Sequence, residues 1–111
     1  MGISDFNGEN TAVQDTPFGY TMSVIGGKWK MIILYLLAAE QPVRFNEMQR
    51  QIGAITYKVL SAQLKELEAD GLVTRKEFPQ IPPKVEYSLT PKAQSLIPVL
   101  EQLCEWGEKN R

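Results

Sequence analysis

Residues 56–70 read TYKVLSAQLKELEAD, and this stretch decides the fold. Thr56 can cap a helix by accepting a backbone hydrogen bond, and Leu60, Leu64 and Leu67 follow at the i, i+4 and i+7 spacing of one helical stripe. Because an α-helix turns by about 100° per residue, the opposite side carries short or basic side chains: Lys58, Ser61, Ala62 and Lys65. We predict a helix with its leucines in the core and its other face outward.

The segment before this helix predicts a second, shorter one. Asn46 is a candidate N-cap with Gln49 three residues on, and the helix it starts runs to about Ile52, where Gly53 ends it. A short helix, a glycine-containing turn and a longer helix with a polar outer face form the helix-turn-helix pattern.

The segment after the long helix predicts two strands. Gly71 suits a left-handed helix end, and residues 72–78 and 85–89 alternate in the manner of strands. Residues 79–84 between them contain three prolines, which exclude helix and central strand. The prediction is a two-stranded β-hairpin with a stiff protruding loop, the wing.

Helices are also predicted on both sides of this unit. One runs from Pro17 to Gly26-Gly27, and the next, residues 28–39, has an apolar stripe typical of a core helix: Trp29, Ile32, Ile33, Leu36 and Leu37. The last runs from Thr90-Pro91 to Gly107, and Pro98 should kink it.

The assembled elements predict an α+β, mainly helical fold: a winged helix-turn-helix with a two-stranded β-hairpin wing and extra N- and C-terminal helices for dimerisation. Residues 1–15 are polar, and their apolar residues do not recur at the spacing of a helix or a strand, so we expect a flexible N-terminal arm. Residues 16–111 should form a single domain for DNA binding and dimerisation.

Composition excludes several classes of protein. The chain has 111 residues, 43% of them hydrophobic, which suits one core. It has no histidine and a single cysteine, Cys104, so internal disulfides, the usual metal sites and histidine catalysis are excluded. No catalytic group or cofactor motif can be named, and no enzyme is predicted. Without a signal peptide or an apolar run of membrane-spanning length, the chain is expected in the cytoplasm and away from membranes.

Charge is distributed unevenly along the chain. The net charge is −1, but residues 28–84 contain nine basic and six acidic side chains, a balance of +3. The middle of the chain can therefore present a basic face, although charged residues spread evenly over the surface would give the same balance.

Five short stretches resemble the HxlR family of bacterial winged-helix transcriptional regulators, which is distantly similar to the MarR type. They occur in family order over about residues 16–109: IGGKWK at 25–30, RFNEM at 44–48, LKELEADGLV at 64–73, PPKVEYSLTP at 82–91 and CEWG at 104–107. The resemblance implies a homodimer that binds a pseudo-palindromic operator in double-stranded DNA, with one recognition helix and one wing per chain. It also implies a repressor.

The helix-turn-helix pattern itself selects candidate DNA contacts, since the start of the second helix enters the major groove. Base edges are within reach of Thr56, Tyr57, Lys58, Ser61 and Ala62. Lys58 and Lys65 suit phosphates or guanine edges, while Arg44 and Lys84 should meet the DNA backbone. Tyr57 either contacts DNA or packs beside the leucine stripe.

Apolar residues beyond the needs of one small core predict a two-fold interface between the first and last helices. Its candidates are Phe18, Met22, Leu96, Leu100, Leu103 and Trp106. Several relatives carry an oxidant-sensing Cys-Pro dipeptide before the first helix, where this chain has Thr16-Pro17. Cys104 is expected to be buried.

A winged-helix module that binds proteins and not DNA is the alternative function. It is kept open by the slightly acidic net charge. The sequence also leaves open the operator, the regulated genes, a small-molecule effector and whether Cys104 is redox-active.

Overall fold

Helices surround a small antiparallel sheet in the computed structural model, which describes residues 12–111. A 3-10 helix, Val13–Asp15, comes first. The remaining elements are α1 (Pro17–Ile25), α2 (Lys30–Ala39), β1 (Val43–Arg44), α3 (Phe45–Ile52), α4 (Tyr57–Ala69), β2 (Val73–Phe78), β3 (Lys84–Leu89), α5 (Pro91–Gln94) and α6 (Ile97–Asn110). The predicted winged helix-turn-helix fold is confirmed, with α3 and α4 as its helix pair and β2 and β3 as its wing.

Most of the predicted arm lies outside the described residues, since the structure describes nothing before residue 12. Of its remaining residues, Val13–Asp15 form the 3-10 helix that precedes α1. The boundaries of the arm and of the domain remain predictions.

α4 has the predicted start, stripe and end. The Oγ1 atom of Thr56 accepts a hydrogen bond from the Val59 backbone N–H at 3.1 Å. Leu60, Leu64 and Leu67 are at most 1% exposed. Gly71 follows with φ of 76°, a conformation that glycine adopts at little cost.

The sheet has three strands, and the prediction of a two-stranded hairpin was therefore incomplete. The strand order is β1-β3-β2, with Val43 opposite Tyr87 and Arg44 opposite Glu86. β1 contains two residues, too few to show an alternation in the sequence. Its pairing places the start of α3 against the wing.

The predicted start of α3 and its cap were both wrong by two residues. Arg44 is the N-cap residue and makes no side-chain cap hydrogen bond, while Asn46 lies inside the helix. Because Arg44 is held extended by pairing with β3, the helix begins directly after the strand, at Phe45. Gly53 ends it with φ of 82°, as predicted.

α2 is the central core helix, although its buried face differs from the predicted stripe. Ile33, Leu34 and Leu37 are at most 1% exposed, whereas Ile32 is 41% exposed. Nearly every residue from 31 to 39 is apolar, so the spacing rule alone cannot select a face. The helix also begins at Lys30, two residues later than predicted.

The last predicted helix is broken in two. α5 ends at Gln94, and α6 begins at Ile97 with Pro98 in its first turn. Inside a continuous helix, Pro98 would lack its hydrogen bond and its ring would meet the Gln94 carbonyl. The chain therefore breaks before the proline, where the sequence predicted only a kink.

No single helix within residues 12–111 is long and apolar enough to cross a membrane. α1 and α2 reach the required length and composition only when taken together, and they are bent by 78° relative to each other.

Candidate nucleic-acid interface

The outward face of α4 is free within the chain, as the sequence predicted. Along it, the structure leaves Thr56, Tyr57, Lys58, Ala62 and Lys65 exposed and Ser61 half-buried. The leucine stripe on the other side is fully covered, which fixes the rotation of the helix and therefore which side chains point outward.

Tyr57 packs against a ring of its own chain and still remains largely exposed. Its ring lies 4.9 Å from the ring of Phe45, centroid to centroid, with the planes tilted by 57°. Yet 65% of Tyr57 remains exposed. Phe45 at the start of α3 thus orients Tyr57 at the start of α4, while the hydroxyl stays accessible to a ligand.

The wing is built on the pairing of β2 with β3. Phe78 lies opposite Lys84, and the Lys84 Nζ atom stands 4.5 Å from the centre of the Phe78 ring. Lys84 also forms an ion pair with Glu86, with Nζ and Oε2 3.2 Å apart. The positive charge of this predicted backbone contact is therefore partly compensated by its own strand.

A groove of about 840 Å³ separates α4 from the wing. Its lining includes four cationic side chains, Arg44, Lys65, Arg75 and Lys84, and two carboxylates, Glu47 and Glu68. Three of these cations were predicted as DNA contacts from positions far apart in the sequence. The fold brings them into one groove with an excess of positive charge, which suits a polyanion.

Arg75 is the groove residue that sequence reasoning missed. It lies opposite Tyr87 in the β2–β3 register, and the Tyr87 hydroxyl raises the pKa of the guanidinium by hydrogen bonding. Burial raises the pKa of Tyr87, and Arg75 partly opposes this rise. No local signal marks Arg75, because its place in the groove depends on the register of β2 with β3.

Glu47 lines the same groove, and Arg50 one turn later partly neutralises it. The hydrogen bond from Arg50 lowers the pKa of the Glu47 carboxyl, so the group stays ionised and paired. The pairing limits the repulsion that this carboxylate would exert on a phosphate.

The apolar residues predicted for a dimer interface divide into two sets. Phe18 is 63% exposed and Trp106 68%, while Met22 and Leu103 are exposed as well. Leu100, in contrast, is buried in the core of its own chain, and Leu96 packs against that core. The structure thus removes Leu100 from the predicted interface, because its side chain is already covered.

The expectation of a buried Cys104 was wrong, since the structure leaves its thiol exposed. The residue lies on α6, where every residue from 101 to 106 is exposed. The expectation rested on the usual burial of free cysteines, whereas only the first turns of α6 reach the core.

The chain combines a helix-turn-helix whose recognition face is open, a wing next to it, and a cationic groove between the two. These features define the winged helix-turn-helix transcriptional regulators. A family model, HxlR-like helix-turn-helix, matches residues 24–111. The chain belongs to this family, and the resemblance noted in its motifs is confirmed. It is a transcriptional regulator and not an enzyme.

Individual relatives agree with this assignment. An uncharacterised HTH-type transcriptional regulator of Halalkalibacterium halodurans is 68% identical over 111 residues, which is 100% of this chain and 98% of the relative. The HTH-type regulator YdzF of Bacillus subtilis is 52% identical and covers 85% of this chain and 86% of its own.

Solved structures show the same fold. The redox regulator HypR in its oxidised form is 50% identical, with a TM-score of 0.80 over 86% of this chain and 98% of that chain.

The residue directly before α1 is Thr16, in the Thr16-Pro17 dipeptide noted in the sequence. Its Oγ1 atom accepts a hydrogen bond from the Gly19 backbone N–H at 3.0 Å. Thr16 therefore serves as the N-cap of α1.

Proposed function

We propose that this regulator binds a pseudo-palindromic operator as a homodimer and represses the genes beside it. Each protomer contributes α4 as the recognition helix and the loop at 79–84 as part of the wing. The observation that carries the proposal is the open face of α4, which is exposed except at the half-buried Ser61, while the leucines on its other side are buried.

The side chains on this face suit the major groove. Thr56 and Ser61 can donate or accept hydrogen bonds at base edges, and the Ala62 methyl group can contact a thymine methyl. Lys58 and Lys65 would bind phosphates or guanine edges. Arg44 and Lys84, across the groove, would bind the DNA backbone and set affinity more than sequence preference.

The exposed part of α6 supports the homodimer. From residue 101 to the end of the helix the structure leaves all but Gly107 exposed, including Leu103 and Trp106. Phe18 and Met22 add exposed apolar area on α1. A second copy of the same surface would cover these side chains, and two-fold symmetry would set two recognition helices about one DNA turn apart.

Repression follows from occupancy, since a dimer seated on an operator excludes other proteins from that stretch of duplex. Operators lie on chromosomal DNA, so we propose that the protein acts in the cytoplasm. The alternative, a winged-helix module that binds only proteins, would make no use of the cationic groove between α4 and the wing.

Two experiments test the proposal. Sequencing of the genomic fragments that the purified protein retains would give the operator. A titration of the selected duplex across salt concentrations would then compare the wild type with Lys58→Ala/Lys65→Ala. The control is Lys28→Ala, which changes an exposed lysine outside both proposed surfaces. Each lost phosphate contact should reduce the slope of log K against log salt by about 0.9.

The double substitution should therefore weaken binding and flatten its salt dependence, and Lys28→Ala should change neither. Absent or salt-insensitive binding by the wild type would favour the protein-binding alternative. Unchanged affinity and slope in the double variant would remove the two lysines from the interface.

A further inference from the structure

The tip of the wing presents an apolar side chain without contacts. Ile81 is 100% exposed, more than any other large apolar residue within 12–111. Single exposed apolar residues are common on protein surfaces, so the exposure gains meaning only from its surroundings. Here the surroundings are a stiff loop, two lysines on the strands below it and the neighbouring helix α4.

The loop that carries Ile81 is restricted by Pro79, Pro82 and Pro83, whose rings fix the backbone φ angles. At its base, the Nζ atoms of Lys76 and Lys84 lie 5.0 Å and 4.5 Å from the centre of the Phe78 ring. Both strands of the wing thus carry a lysine below an apolar tip, although Glu86 pairs with Lys84.

The wing and α4 share one groove, lined by Pro82 and Lys84 on one side and by Tyr57 and Lys65 on the other. If α4 lies in the major groove, the wing extends over the adjacent DNA backbone towards the minor groove. The minor groove of B-DNA is about 6 Å wide, too narrow for a two-stranded ribbon but wide enough for one side chain. Ile81 is the fully exposed side chain on this part of the wing.

We propose that Ile81 enters the minor groove beside each half-site as an apolar wedge that partly unstacks one base step. Isoleucine is among the side chains that architectural DNA-binding proteins insert in this way. Lys76 and Lys84 would meet the phosphates at the edges of the groove. This inference rests on the proposed operator binding and names a further residue that determines its specificity.

The wedge reads DNA by its deformability, because an isoleucine side chain cannot donate or accept a hydrogen bond. Pyrimidine–purine steps such as TA and CA unstack at the lowest energy. We therefore expect the selected operators to carry such a step at a position that α4 does not reach.

The test uses duplexes that the full-length wild type selects from a random-sequence pool, with 2-aminopurine placed singly at the steps flanking the half-site. Wild-type binding should raise the fluorescence at one of these steps, since unstacking relieves quenching. Ile81→Ala should abolish the rise and lower affinity about tenfold, the size of one lost specificity contact. Its salt dependence should stay unchanged, because no charge is removed.

Two further variants separate the side chain from the loop. Ile81→Met should restore most of the affinity and the fluorescence. The matched control is Ile32→Ala, the same change at an exposed isoleucine of α2 outside the wing, and it should leave both at wild-type values. Full exposure of Ile81 means that neither change at that position disturbs the core.

The two proposals fail in different ways. If the wild type selects no duplex, operator binding itself fails. If it selects one, but the fluorescence is unchanged at every step or Ile81→Ala binds as tightly as the wild type, the wedge is overturned while operator binding stands. A wing tip that docks on another protein would give this second result.

Discussion

Lys30 at the start of α2 is bound to Glu66 in the last turn of α4, with Nζ and Oε1 3.1 Å apart. The side chain of Lys30 is 8% exposed and that of Glu66 56% exposed. Lys30 is also the one buried charged residue within 12–111. The pair ties the central core helix to the helix that we propose reads DNA.

Loss of Glu66 should cost more stability than loss of Lys30. Glu66→Ala leaves a buried ammonium group unpaired, whereas Lys30→Met removes the charge and keeps most of the packing volume. Because Glu66 is more than half exposed, solvent screens the pair and reduces the penalty of Glu66→Ala to about 1–2 kcal/mol. Lys30→Met should cost less than about 1 kcal/mol. Urea unfolding of both variants measures the difference.

The control is Glu68→Ala, which changes an exposed carboxylate on the same helix and should have little effect on stability. Equal costs for Glu66→Ala and Lys30→Met would contradict the prediction, since that result would mean that Lys30 is solvated without its partner.

The elements with strong local signals could be read from the sequence. Thr56, the leucine stripe and Gly71 each act within one helix and its ends, so local spacing predicts α4 correctly. The prolines likewise identify the wing loop. These signals were sufficient for the fold and for the exposed face of the candidate site.

The features that depend on tertiary contacts could not be read in this way. The start of α3 depends on the pairing of Arg44 with β3. The buried face of α2 depends on which neighbouring elements pack against it. Burial of Lys30 requires Glu66, which lies 36 residues away in the chain. Arg75 joins the groove only through its register with Tyr87.

Thr56 should contribute to stability through its cap. Thr56→Ala removes the acceptor for the Val59 N–H and should lower the free energy of unfolding by about 1 kcal/mol. Thr56→Ser keeps the hydroxyl and should stay close to the wild type. Urea midpoints at constant m-value test this, and equal loss in both variants would show that the methyl group matters instead of the cap.

The Phe45–Tyr57 pair should be energetically coupled. A double-mutant cycle with Phe45→Leu and Tyr57→Leu should give a coupling energy of about 0.5–1.5 kcal/mol in unfolding, the range for aromatic pairs in contact. If the pair also orients Tyr57 towards DNA, Phe45→Leu should lower operator affinity although Phe45 lies outside the recognition helix. Zero coupling would refute the pairing, and unchanged affinity would refute the orienting role.

The exposed end of α6 supplies the test of the homodimer. Leu103→Ser/Trp106→Ala removes two side chains that are 49% and 68% exposed in the single chain. We expect sedimentation at micromolar concentration to show a dimer for the wild type and a monomer for this variant.

The same variant should keep its folded core, because neither side chain belongs to it. Far-UV circular dichroism should lose at most the signal of the last turns of α6, since a helix without tertiary packing is marginally stable. Affinity for a full palindrome should fall to that for one half-site. Leu100→Ala is the contrasting variant: it opens a cavity in the core and should cost about 2–5 kcal/mol of folding stability. A wild type that sediments as a monomer, or a double variant that still dimerises, would show that α6 does not form the interface.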